Sequence, residues 1–135
     1  MGFTDNFRAQ HEEILAAAGN ITEMLKGEDV DVAAVRKQLS ALAGKVNFHL
    51  AMEDKALYPR LLQRKGTRAE SLAGRFMAEM GGLADAFTRY NSKWQVTAIR
   101  EDLPGFANDT RKVFGALSHR ITRETSELYP VADEA

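Results

Sequence analysis

Residues 46–59 read Val46-Asn47-Phe48-His49-Leu50-Ala51-Met52-Glu53-Asp54-Lys55-Ala56-Leu57-Tyr58-Pro59, and two polar residues inside this stretch decide the fold. The stretch continues an apolar stripe made of Val35, Leu39, Leu42, Val46, His49, Glu53 and Ala56. Its steps of three and four residues have the period of an amphipathic α-helix. Four residues apart, His49 and Glu53 lie within about 40° of one another on that helix and face the same core. A glutamate there is costly unless it is paired or bound to a cation. The segment runs from a cap at Asp31 to about Arg64, and Pro59 is expected to kink or loosen its last turns.

Three further segments share the period. The first runs from about Thr4, its expected N-cap, to Lys26, with Gly27 as the stop. Its stripe is Phe3, Phe7, His11, Ile14, Ala18, Ile21 and Leu25. The third opens on a capping box, Thr67 with Glu70, and reaches Lys93–Trp94 through Phe76, Met80, Leu83, Phe87, Tyr90 and Trp94. Leu103-Pro104-Gly105 breaks the chain before the fourth, which carries Phe106, Val113, Leu117, Ile121, Glu124 and Leu128 and is expected to end at Pro130. The short connections around Gly27–Val30 and Lys65–Gly66 force neighbouring helices to run antiparallel. The expectation is an all-α, antiparallel up-down-up-down four-helix bundle that occupies residues 1–135 as one domain.

Composition narrows the chemistry. The 135 residues contain no cysteine, which removes disulfides, thiolate nucleophiles and iron–sulfur clusters. Eighteen basic and 19 acidic residues are interspersed for a net charge of −1, so no electrostatic footprint for nucleic acid or an acidic membrane exists. No apolar run approaches the about 20 residues of a membrane span, and no signal-peptide pattern opens the chain. A cytoplasmic protein is expected.

What remains is the inward-facing polar set. His11 sits on the first stripe between Phe7 and Ile14, and Glu124 on the fourth between Ile121 and Leu128. Two histidines and two carboxylates from three helices therefore aim at one interior. That donor set suits iron, manganese or zinc. Taken singly, each residue has a blander account: a backbone hydrogen bond for His11, a salt bridge for Glu53, a helix flank for Glu124. Taken together, the blander account needs three independent buried polar exceptions that face one another. Tyr58 and Tyr129 follow Glu53 and Glu124; they pack near helix ends, with a hydrogen bond to a ligand as the alternative.

The stretch from His49 to Pro59 resembles the H-x-x-x-E segment, with its trailing Leu-aromatic-Pro, of the hemerythrin/HHE cation-binding family. The trailing element recurs at Glu124-Thr125-Ser126-Glu127-Leu128-Tyr129-Pro130. His119, five residues before Glu124, resembles the family's H-x-x-x-x-D/E motif, and Gln10-His11-Glu12-Glu13-Ile14 is similar to its first-helix histidine. The resemblance spans nearly the whole chain, and all three histidines fall on family ligand positions. It implies a metal centre, with iron as the expected metal, held by His11, His49, Glu53, His119 and Glu124.

Two departures bear on that set. The family's third helix contributes two histidines, whereas Phe76 and Met80 stand at the corresponding positions here. Those histidines complete one of the family's two irons; the set for the other survives as His11, His49, Glu53 and Glu124. Three outcomes follow: a mononuclear site, with or without His119; a dinuclear site that draws a carboxylate from Glu79; or a degenerate site without metal. In the last case Glu53 and Glu124 would need pairing or protonation, with raised pKa values. The second departure is geometric. On a regular α-helix a five-residue step turns by about 140°, which puts His119 on the surface; the family spacing requires a widened turn, such as a π-bulge, between His119 and Glu124.

The resemblance implies a small metal-binding module that responds to O2, nitric oxide, redox state or iron supply, with an altered site. The alternatives are a metal-dependent oxidase or peroxidase and a metal-free interaction bundle. Expected partners are a metal ion and O2 or another small diatomic molecule, without nucleic acid or membrane; a protein partner or second copy stays open.

Overall fold

Every amphipathic segment of the sequence forms helix in the computed structural model, which describes residues 2–134. The first rod is α1 (Asp5–Met24). The second is α2 (Val32–Met52) continued by α3 (Tyr58–Leu62), and the third is α4 (Arg68–Met80) continued by α5 (Leu83–Lys93). A short α6 (Val96–Glu101) leads to the fourth, α7 (Leu103–Arg123) continued by α8 (Tyr129–Glu134). Helix α1 packs on α2, α2 on α5, α5 on α7, and α7 back on α1, which closes a ring of four.

Polar ties fix the antiparallel sense. Arg36, at the start of the second rod, donates to the Asn91 and Trp94 carbonyls at the end of the third. Lys93 and Trp94 both donate to Asp109 near the start of the fourth. Thr4, at the head of the first rod, donates its backbone N–H and its hydroxyl to Asp133 at the tail of the fourth. Thr4 is therefore a clasp between chain ends and not the side-chain cap the sequence suggested. Asp31 and Thr67 do cap, accepting from the backbone N–H of Ala34 and Glu70.

The stripes meet in two apolar clusters. One gathers Ile14, Ile21, Leu39, Leu42, Val46, Phe87, Phe106 and Leu117. The other gathers Phe7, Leu57, Tyr58, Leu61, Leu72, Phe76, Leu128 and Tyr129. Each fully buried side chain of this size contributes about 1.5–3 kcal/mol, so the two clusters carry the fold. Between them lie His11, His49, Glu53, Arg120 and Glu124, all buried. Among the described residues no helix is long and apolar enough to cross a membrane.

Three local features depart from the sequence reading. The third rod is interrupted between Met80 and Leu83 at Gly81-Gly82. A Cβ on Gly81 would lie 2.4 Å from the Met77 carbonyl oxygen, so this close turn requires glycine. The second and fourth rods each contain a π turn, Glu53–Leu57 and Glu124–Leu128. In each, a tyrosine N–H reaches the carbonyl five residues back, Tyr58 to Glu53 and Tyr129 to Glu124. A proline follows at once; its ring would crowd the carbonyl four residues earlier, and the wider turn gives it room. Hence Pro130 does not end the helix: it sits in the first turn of α8. Likewise Leu103-Pro104-Gly105 is the opening turn of α7, capped by Asp102 accepting from the Gly105 N–H, and the break falls before it.

Candidate metal centre

Two copies of one sequence pattern build the polar layer. His49-Leu50-Ala51-Met52-Glu53 and Arg120-Ile121-Thr122-Arg123-Glu124 are each followed by three residues and then Leu-Tyr-Pro. In both, a basic residue and a glutamate stand one turn apart on the inward face, and the π turn then swings the tyrosine onto that face too. The tyrosines cross over. Tyr58 donates to Glu124 Oε2 at 2.6 Å, and Tyr129 donates to Glu53 Oε2 at 2.5 Å. The alternative of a hydrogen bond to the polar set, raised from sequence for both, is what the structure has.

His11, His49, Glu53 and Glu124 each offer one donor atom, and the four atoms lie within 4.8 Å of one another. All four residues are buried. The His49 Nδ1–H donates to Gln10 Oε1 at 2.6 Å, which leaves Nε2 as a lone pair directed inward. That nitrogen is buried without a hydrogen-bond partner. Glu53 Oε1 lies 3.2 Å away; as a carboxylate it offers that lone pair no donor, whereas its acid form carries one O–H. His11 places Nδ1 2.9 Å from the Thr125 hydroxyl and Nε2 3.2 Å from Glu124 Oε1. Because the threonine hydroxyl can accept or donate, His11 can present Nε2 either as N–H or as a lone pair.

This donor set fits one metal ion: two imidazole nitrogens and two carboxylates, already gathered, with one nitrogen held orphaned. It does not present a second set. Phe76 is buried in the apolar cluster under the Arg123 guanidinium, 4.6 Å from the ring centre. Met80 packs on the same cluster and contributes only its carbonyl to the layer. Glu79 is exposed and pairs with Arg123 at 2.5 Å.

His119 is outside the group. Helix α7 is α-helical through Arg123, and His119 is exposed on its outer face, lining a surface groove with Glu79 and Met80. The widened turn does occur, but it begins at Glu124 and not before it, so it carries Tyr129 inward and leaves His119 out. The residue that occupies the inward position is Arg120. Its Nη2 lies 3.2 Å from Glu53 Oε1 and its Nε 3.1 Å from Glu124 Oε2.

Arg120 and Gln10 were not singled out from sequence. For Arg120 the signal was present: it is three residues beyond Leu117 and four before Glu124, a stripe position, and it aligns with His49 in the repeated pattern. For Gln10, one residue before a stripe position, no signal existed.

Electrostatics divides the two carboxyls. Burial, then the nearby Glu124 charge, pushes Glu53 well above the ordinary carboxylate range, against the pull of Arg120. Burial would raise Glu124 as well, but hydrogen bonds from His11 and the charge of Arg120 hold it at about 2. The expectation that both would be raised thus holds for Glu53 and fails for Glu124. The opposite directions of the two shifts place the more firmly held proton on Glu53 and leave Glu124 as the carboxylate that faces Arg120. His49 is lowered to about 4, mainly by burial and further by Arg120, so its imidazole is neutral at physiological pH.

Gln10 acts on the site through His49. Gln10→Leu removes the acceptor that fixes the Nδ1–H tautomer, and metal affinity is expected to fall about 10- to 100-fold. Competition against a chelator of known affinity measures it; unchanged affinity would remove Gln10 from the site.

Comparison with protein families matches residues 2–132 to the hemerythrin HHE cation binding domain. Comparisons with curated proteins and with solved structures gave no match.

Proposed function

Because the chain belongs to the hemerythrin HHE cation-binding family, we propose that it is a cytoplasmic protein that binds one metal ion, iron, through His11, His49, Glu53 and Glu124. The ion serves as a receptor for O2, nitric oxide, redox state or iron supply. One observation carries this reading: the buried Nε2 of His49 has no hydrogen-bond partner, and His49 belongs to a buried group of four residues whose donor atoms lie within 4.8 Å of one another. An orphaned buried nitrogen costs about 1–3 kcal/mol, and a metal ion converts that cost into a bond.

When bound, iron supplies one-electron redox chemistry and affinity for small diatomic molecules. The chain's own residues prepare the place. Gln10 orients His49 from the α1 side, and Thr125 orients His11 from the π turn of the fourth rod. Tyr58 and Tyr129 hold the outer oxygens of both carboxylates, leaving the inner ones to converge. Phe7 packs edge-on against the His49 ring and, with Gln10, separates it from a surface groove of about 550 Å³.

Elemental analysis of protein purified without added metal, coupled to visible absorption, tests the proposal. About one iron per chain is expected, and His49→Ala is expected to lose it. Metal content that is nil in the wild type, or unchanged by His49→Ala, sinks the reading. A metal-free interaction bundle then takes its place, favoured by the fact that Arg120 already pairs with both carboxylates.

A further inference from the structure

Arg120 is the residue of the polar layer to which family resemblance assigns nothing, yet it is the best-held group there. It is 3% exposed. Its three guanidinium nitrogens reach Glu53 Oε1, Glu124 Oε2 and the Met80 carbonyl oxygen at 3.2, 3.1 and 3.3 Å. The Tyr58 ring lies beneath it, 5.5 Å from ring centre to guanidinium carbon. The Met80 carbonyl comes from the third rod, and it is turned toward Arg120 at the end of α4, where the Gly81-Gly82 interruption begins.

That position is informative. A second metal ion in such a layer would have to be held by the same two carboxylates, from the side of the third rod. The guanidinium nitrogens already occupy that side at hydrogen-bond distance. Two carboxylates balanced by Arg120 and one divalent ion leave a single excess positive charge in the buried layer; a second divalent ion would leave three, with no third-rod ligand to share them. The loss of third-rod nitrogen ligands at Phe76 and Met80, the arginine one turn before Glu124, and the glycine pair that presents a carbonyl to it form one consistent arrangement.

We propose that Arg120 is this chain's built-in replacement for the second cation of a two-metal centre: a guanidinium that balances the paired carboxylates, preassembles them without metal, and limits the site to one ion. The limit of one ion rests on the metal-binding reading above; the preassembly does not.

The experiment compares the full-length wild type with Arg120→Met, Glu124→Gln and the double variant Arg120→Met/Glu124→Gln. Each is melted after chelation and again with Zn²⁺, and bound zinc is counted by native mass spectrometry. Removing the guanidinium leaves a buried carboxylate without its counter-charge, so the chelated R120M protein is expected to melt about 10 °C or more below the wild type. Adding E124Q removes the stranded charge and recovers most of that loss, whereas purely steric damage at position 120 would persist in the double variant. Zn²⁺ is expected to raise the melting temperature of R120M more than that of the wild type, because the ion then supplies the missing charge. Wild type is expected to hold one zinc.

Chelated R120M melting with the wild type, or a double variant no better than R120M, overturns the inference. If R120M does not accumulate folded, the comparison of the double variant with E124Q alone decides: equal melting supports the charge-balance role, and a collapsed double variant overturns it. Two zinc ions per wild-type chain overturn the limit to one ion and leave the metal reading standing. No zinc at all sinks the metal reading, while the chelated melting series still decides whether Arg120 preassembles the layer.

Discussion

Chelated protein is expected to lose about 3 kcal/mol of stability as pH falls from 4.5 to 2, whereas between pH 6.5 and 4.5 two groups of the layer act with opposite sign. Three groups of the polar layer set this profile. Glu124 is held at about 2 in the fold against an ordinary 4.5, chiefly by its His11 hydrogen bond and the Arg120 charge overcoming burial. Below pH 4.5 the unfolded chain takes up a proton that the folded chain refuses until pH 2, and stability falls throughout that window. His49 is lowered, mainly by burial, from 6.5 to about 4. The unfolded chain therefore binds its proton first, and stability falls as pH drops from 6.5 to 4, by a further amount on the order of 3 kcal/mol.

Glu53 has the opposite sign. Raised by burial and by Glu124, it keeps a proton in the fold that the unfolded chain releases above 4.5, so its contribution falls as pH rises. Between 4.5 and 6.5 His49 and Glu53 oppose one another; below 4.5 Glu53 is protonated in both forms, the His49 limb ends at about 4, and the Glu124 limb continues to about 2. Urea titrations from pH 2 to 7 on chelated protein measure the profile. His49→Gln removes one opponent, and its stability is expected to fall with rising pH across 4.5–6.5. A wild-type stability that is flat from 4.5 to 2 would show that Arg120 and His11 do not hold Glu124 ionised in the fold. For a domain whose total stability is typically about 5–15 kcal/mol, the difference is readily measured.

How much of this was legible in the sequence follows from what each local signal encodes. Periodicity encodes the direction a side chain faces on a regular helix, and it placed His11, His49, Glu53 and Glu124 on inward faces where the structure has them gathered. It also placed His119 outward, where it lies. Family spacing pulled His119 inward by requiring a widened turn. The turn exists, but its position is set by Pro130, and a proline acts on the residues just before it, not on one as far back as His119. The same proline, read as a terminator, concealed that a π turn lets the helix pass through it. Arg120 occupies a stripe position, but an arginine there can also run its stem along the apolar face and reach solvent with its head, so position alone does not make it a core residue. The repeat that aligns it with His49 hints at the inward direction, and the Glu53 carboxyl from the second rod, a partner local spacing does not encode, holds it there. The interruption at Gly81-Gly82 was likewise hidden, since the apolar stripe resumes in register at Leu83 and two glycines alone do not end a helix.

The two carboxyls of the layer look alike in sequence and are expected to respond differently to one substitution. Glu53→Gln is expected to leave the chelated fold within about 1 kcal/mol of the wild type at pH 7, while lowering metal affinity on the order of 100-fold or more. Burial and the Glu124 charge favour the protonated form of Glu53, and an amide matches the charge and shape of that form. Arg120 donates to Oε1 of Glu53 and Tyr129 to Oε2, so the glutamine oxygen takes the place of Oε1 and accepts from Arg120, while its NH2 donates to the Tyr129 hydroxyl, which turns its own proton to His11 Nε2, 2.9 Å away. No buried donor is stranded, so the metal-free fold has little reason to weaken. A metal ion asks for something else. It needs Glu53 as an anion, and in the wild type binding drives the proton off; the amide has no proton to lose that would yield a carboxylate ligand. Metal affinity of the wild type should accordingly rise with pH as Glu53 becomes easier to ionise, and that rise should be largely absent in E53Q. Chelator competition across pH 6–8, beside urea denaturation of the same preparations, reads both halves. Affinity within tenfold of the wild type would remove Glu53 from the ligand set, and a stability loss above about 3 kcal/mol would mean that the folded protein carries Glu53 as an ion paired with Arg120.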